Sequence, residues 1–172
     1  MTVPRLLDGV LTVLAEQGIG ALSVRSVAAA AAVSPAQVQY YYRTKSELVR
    51  AGFEYAGEQF LADVVAAQPA TLMDFVQQWL PLDDQRDRRA RVWLAYAALS
   101  AGDAELAAAS AQLDEELRRW FIDQNLSSHA ASQLFAMIDG VTMQCLMLPQ
   151  SERRSLVERT IVPFVSSLGS NS

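Results

Sequence analysis

The stretch Ser23 to Leu48, SVRSVAAAAAVSPAQVQYYYRTKSEL, holds three helix starts in quick succession. The first helix is expected over Val24–Ala31, with Ser23 as N-cap, Val27 buried, and Ala28 and Ala31 small enough for close packing. The second opens at Ser34-Pro35, a hydroxyl cap followed by proline at the first helical position, where no amide donor is needed. Ser34 and Gln37 have the spacing of a capping box, as do Thr44 and Glu47 at the start of the third helix. Only short connections fit between such starts, which is helix-turn-helix spacing. The second helix, Pro35 to Tyr41, is too short and too polar for a core element. Val38 is its one aliphatic anchor, and Gln37, Gln39, Tyr40 and Tyr41 cover three sides with hydrogen-bonding tips. Such a helix can enter a DNA major groove, where glutamine pairs bidentately with adenine. Arg25, Arg43 and Lys45 flank it where phosphates would pass. The plainer reading is a capped surface helix without a ligand.

These residues resemble the TetR family of transcriptional regulators. The likeness rests on Ala21-Leu22-Ser23-Val24-Arg25, Val27-Ala28, Val33-Ser34, Val38-x-x-Tyr41-Tyr42 and Lys45-x-x-Leu48, and spans about residues 5–55. It implies an all-α fold of about nine helices, with a helix-turn-helix DNA-binding domain over residues 1–47 and a helical effector-binding and dimerisation domain over 48–172. DNA contacts are expected from Ser23, Arg25, Ser34, Pro35, Ala36, Gln37, Gln39, Tyr40, Tyr41 and Lys45. Two residues depart from the family pattern. Ala32 stands where glycine is usual, and in a left-handed conformation alanine costs on the order of 1 kcal/mol more. Gln39 stands where the family usually has a tyrosine that touches the DNA backbone.

Composition narrows the function classes. The chain is half hydrophobic, poor in glycine and has a formal charge of −5, which disfavours nonspecific coating of nucleic acid. Charge is unevenly spread: residues 1–50 carry +2 and the remainder −7. A mildly basic head on an acidic body suits a site-specific DNA binder with a separate sensing part. The single cysteine, Cys145, rules out an intrachain disulfide and a cysteine-based metal cluster. Neither a bilayer-length apolar run nor signal-peptide character is present, so a cytoplasmic location is expected. Three residues precede Pro4, so no basic arm for a minor groove is expected.

Enzyme signatures are missing. The only histidine, His129, sits beside a serine cap near a helix start, and there is no glycine-rich phosphate loop, H-E-x-x-H or nucleophile elbow. Neither catalysis, a metal nor a cofactor is expected.

Outward from the central stretch, Leu6, Leu7, Val10, Leu11, Val13 and Leu14 recur at helical spacing before Gly18. A long helix follows from Lys45 to about Ala67, closed by Pro69. Gly52 and Gly57 interrupt it, either for close packing or for bending. A short helix over Thr71–Leu80 stops at Pro81, and Asp83-Asp84 start the next. The arginines at 86, 88, 89 and 91 read as a solvated face paired with acidic neighbours such as Asp114-Glu115-Glu116. Asp103 caps a further helix reaching about Asn125.

Residues 128–148 are apolar on most sides, and a last helix, 151–168, follows with Leu156, Val157, Ile161 and Val165 and a kink or break expected at Pro163. A second copy of the same pair is the natural cover, giving a two-fold four-helix bundle, as in the resembling family. Phe135, Ile138, Val141, Thr142, Cys145, Ile161 and Val165 are the candidate dimer contacts; the alternative is that this pair forms the subunit's own core. The body also holds large adaptable side chains, which tolerate varied ligands but equally build plain core. The resemblance implies a small-molecule pocket there, with Phe60, Trp79, Trp93, Tyr96, Phe121, Met137 and Met143 as lining candidates. The resulting expectation is a dimeric repressor that binds a palindromic operator and is released by a small hydrophobic or aromatic effector, cationic if Asp139 or Glu58 faces the pocket. The competing expectation is a helical homodimer that binds a small molecule or protein without reading DNA.

Overall fold

The computed structural model describes residues 2–169, and among them every regular element is helical. The order is α1 (Thr2–Gln17), a 3-10 turn (Ile19–Ala21), α2 (Val24–Ala30), α3 (Pro35–Tyr41), α4 (Lys45–Ala67), α5 (Leu72–Gln77), α6 (Asp84–Ser100), α7 (Ala104–Asp123), α8 (Ser128–Leu146) and α9 (Gln150–Gly169). The expected absence of a basic arm concerns residues at and before the edge of this range. The chain forms two compact units, one of residues 1–66 and 91–106, the other of 67–90 and 107–172. α6 is continuous and contributes to both.

In the first unit, the apolar stripe of α1 covers the α2–α3 pair. Leu6, Val10, Leu14, Leu22, Val27, Val38 and Leu48 are all buried. Two glycines permit this packing. A Cβ on Gly9 would lie 3.0 Å from both the Val27 carbonyl oxygen and Ala31 Cβ, so α1 meets α2 through bare backbone. A Cβ on Gly52 would lie 2.5 Å from Tyr96 Oη and 2.8 Å from Val10 Cγ1. Close packing is therefore the role of Gly52, whereas a Cβ on Gly57 would meet nothing within 4 Å. The Tyr96 hydroxyl donates to the Val49 carbonyl at 3.2 Å, and burial raises its pKa. Phe53 stands edge-on to both Trp93 and Tyr96, with ring centroids 5.6 and 5.3 Å away. Tyr55 donates to Asp8 at 2.8 Å; burial first and this bond second push its phenol up to about 12.

The second unit is built on aromatic rings and one buried guanidinium. Phe75 stacks on Trp120 at 3.7 Å and meets Phe121 edge-on at 5.7 Å. Arg153, only 5% exposed, donates to the carbonyls of Pro81 and Leu148 and to the Asp87 carboxylate. It thereby ties the α5–α6 and α8–α9 connections to one side chain.

Three expectations change here. α5 is shorter than expected, ending at Gln77 with irregular turns to Leu80. Arg86 and Arg89 donate to the carbonyls of Gln77 and Gln78, so two members of the arginine run satisfy the acceptors left open at the end of α5. α9 runs unbroken through Pro163.

Candidate nucleic-acid interface

Local hydrogen bonds fix the helix-turn-helix. Ser23 Oγ accepts from the Ser26 amide at 3.1 Å, and Ser26 Oγ accepts from the Ser23 amide at 2.9 Å, completing a capping box for α2. The Ser26 hydroxyl also donates to the Ala21 carbonyl at 2.7 Å. α2 ends in a Schellman motif: the Val33 amide donates to the Ala28 carbonyl at 2.9 Å and the Ala32 amide to the Ala29 carbonyl at 3.1 Å. Ala32 occupies the left-handed position of that motif, with φ 52°. The chain thus adopts a glycine turn without glycine.

α3 leaves this turn with Ser34 as N-cap, accepting from the Gln37 amide at 3.2 Å, and Pro35 at its first position. No returning bond from the Gln37 side chain completes the expected box. At the start of α4, Thr44 Oγ1 accepts from the Glu47 amide at 3.1 Å, but Glu47 Oε2 accepts from the Arg43 amide at 2.8 Å. The reciprocal bond falls one residue early, on Arg43, which directly follows the extended Tyr42.

Val38 is fully buried and holds α3 from behind. At 100° per residue the face opposite Val38 centres on Ala36 and Tyr40, with Gln39 beside them. All three are exposed, Tyr40 to 80%, and its ring meets Tyr41 edge-on at 5.1 Å. Ser23, Arg25, Ser34, Pro35, Tyr41 and Lys45 are exposed as well, while Gln37 is half-buried. Of the ten residues expected to touch DNA, nine are thus exposed and one is half-buried. Arg50 pairs with Glu105, which neutralises it. An open cleft of about 260 Å³ is lined by Tyr41 at the end of α3, by Tyr42, and by Glu47, Arg50, Ala51 and Glu54 of α4. Burial and then Glu54 raise the Tyr42 phenol. No sequence pattern announces this cleft, because it depends on where the extended Tyr42 linker folds against α4.

The residues chosen as pocket lining fall in both units. Phe60, Trp93 and Tyr96 belong to the first; Trp79, Phe121, Met137 and Met143 belong to the second. Phe60, Tyr96 and Phe121 are buried, Trp79, Trp93 and Met137 half-buried, and Met143 is 51% exposed. Among the candidate dimer contacts, Phe135, Ile138, Val141, Cys145 and Ile161 are covered within the subunit, and Thr142 and Val165 are half-buried. The exposed face of α8 carries Ala136, Met143 and Met147 instead. Asp139 is exposed beside that face; partial burial and then the Asp114 carboxylate push it up to about 6, with Arg118 opposing. The Arg118 guanidinium also lies 5.4 Å from the centre of the Phe135 ring.

Residues 6–51 match the family model for bacterial regulatory proteins of the tetR family, and residues 68–169 match the C-terminal model of BetI-type transcriptional repressors. The chain belongs to the TetR family. A TetR regulator's helix-turn-helix binds DNA, and the site just described is that element. Among its relatives, HTH-type transcriptional regulator PksA of Bacillus subtilis is 22% identical over 91% of this chain and 84% of its own length. A transcriptional regulator from Rhodococcus sp. Rha1 superposes with a TM-score of 0.89, at 24% identity over 99% of this chain and 97% of that one. The multidrug binding protein EbrR, solved with ethidium, superposes with a TM-score of 0.66, at 28% identity over 92% of this chain and 98% of that one. Among the described residues no helix is long and apolar enough to cross a membrane.

Proposed function

We propose that this TetR-family regulator is a cytoplasmic homodimeric repressor that binds a palindromic operator and is released by a small hydrophobic or aromatic effector. The observation that carries the reading is α3: seven residues braced by a fully buried Val38, with glutamine and tyrosine side chains on the open side. Arg25, Arg43 and Lys45 are exposed around it and hold no ion pair with any described residue, so they are available to phosphates. Three such cations in each of two subunits give a log–log salt slope near −5.

Dimerisation rests on the outer face of α8. Met143 and Met147 are 51% and 72% exposed, and a Cβ on Gly140 would meet nothing within 4 Å. Large exposed methionines beside a bare helix backbone favour a second helix as cover. A two-fold pair of α8–α9 elements then presents two copies of α3 to successive major-groove faces. An effector response draws support from the EbrR complexes, solved with ethidium and with malachite green, both aromatic cations. In this chain it would act as a coupling of about 1–3 kcal/mol between two arrangements of the dimer.

Gel shift with the intergenic DNA beside the protein's own gene, repeated with a panel of aromatic and lipophilic compounds, tests the proposal. Retention that falls with salt at a slope near −5 and is lost with one class of compound is the expected result. A slope near zero would remove the DNA assignment, and thermal stability unmoved by every compound would remove the effector.

A further inference from the structure

The reading surface of α3 is chemically narrow. PAQVQYY contains neither arginine nor lysine, the side chains that pair bidentately with guanine O6 and N7. The face opposite Val38 instead offers the methyl of Ala36, the amide of Gln39 and the phenol of Tyr40. Gln39 is exposed, and its side chain makes no hydrogen bond with any described residue. Both its amide N–H and its carbonyl are therefore open. Those two groups match the N7 acceptor and the N6 donor of adenine, and an exposed methyl matches the C5-methyl of thymine. Ala36 and Gln39 are one helical turn apart on adjoining sides of the same face, so they address the same or neighbouring base pairs. Tyr40 shares the centre of this face with Ala36, its ring held edge-on against Tyr41, and brings a phenol that can meet sugar or phosphate while Gln39 flanks Ala36 on the other side.

We infer that Gln39 reads an adenine, with Ala36 against a thymine methyl, so that the operator base pairs beneath α3 are A·T rather than G·C. The inference rests on the proposed DNA reading and specifies its target. It assigns direct readout to a residue at which the family pattern has a tyrosine that touches the backbone. Arg25, Arg43 and Lys45 lie off this face and supply affinity without base choice.

Binding sites selected from a randomised duplex by the full chain and by Gln39→Ala test this, with melting curves of both proteins to confirm equal folding. The wild type should enrich a two-fold site with an A·T pair in each half that loses its preference in Gln39→Ala. Replacing that pair by G·C should weaken the wild type on the order of ten- to a hundred-fold and leave Gln39→Ala nearly indifferent. Replacing its adenine by 7-deaza-adenine, which lacks the N7 acceptor, should weaken the wild type and spare the variant. G·C enrichment at the position controlled by residue 39, or an unchanged preference in Gln39→Ala, overturns the inference while the regulator reading stands. Failure of the wild type to retain any duplex at low salt overturns both.

Discussion

Two exposed alanines three residues apart should respond to the same substitution with opposite signs. Ala29 lies within α2 and Ala32 lies just past its end, and both side chains face solvent. Ala32 has φ 52°, where a Cβ crowds the following carbonyl at a cost of about 1–2 kcal/mol. Ala32→Gly removes that cost but gives the unfolded chain extra freedom worth about 0.4–1 kcal/mol. The net expectation is a gain of roughly 0.5–1 kcal/mol. Ala29→Gly brings the same entropy term without any relief and should lose about 0.5–1 kcal/mol. Equilibrium urea unfolding of both variants and the wild type at one protein concentration reads the two changes. In thermal melts the two variants should part by several degrees, at about 2–4 °C per kcal/mol for a chain of this size. Ala32→Gly equal to or below Ala29→Gly would refute the assignment of strain to the α2–α3 turn.

Three further outcomes follow from packing and charge. Gly52→Ala should destabilise by about 1–3 kcal/mol, because its Cβ would lie 2.5 Å from Tyr96 Oη. Adding Tyr96→Phe should recover part of that loss, and a double-mutant cycle by urea unfolding measures the coupling. Arg153→Met leaves two carbonyls and the Asp87 carboxylate without their shared donor and should cost on the order of 3 kcal/mol, read by the same unfolding. Asp139 titrates higher folded than unfolded, so the stability linked to its neutral form is complete below its ordinary value and is lost as pH rises through about 6. Asp139→Asn should therefore be more stable than the wild type at pH 7.5 and indistinguishable from it near pH 4, as melting curves across that range would show.

Sequence reading succeeds here where one residue and its neighbours decide the outcome. Ser34-Pro35 starts α3 because a hydroxyl cap and a preset φ need no tertiary partner. Ala32 could be marked as strained for the same reason. Long-range roles were less visible. Gly52 and Gly57 are alike in the sequence, and what distinguishes them is Tyr96, far along the chain and packed against Gly52 alone. The apolar pattern of α8 showed that the helix is covered, but not which residues the subunit covers itself. Ile138, Cys145 and Ile161 face inward, while Met143 and Met147 remain outside. The arginines of α6 looked like a solvated charge run, although Arg86 and Arg89 close the end of α5 through carbonyl acceptors that no residue letter encodes.

Cys145 gives this chain a built-in clock. It is the sole thiol, wholly covered on the inner side of α8, and burial keeps it protonated beyond its usual range. A thiol-reactive dye can capture it only during excursions that part α8 from its neighbours, so the labelling rate counts those excursions without any engineered probe. A ligand that steadies α8 should slow the count, and its grip on this helix becomes a rate measured in a cuvette.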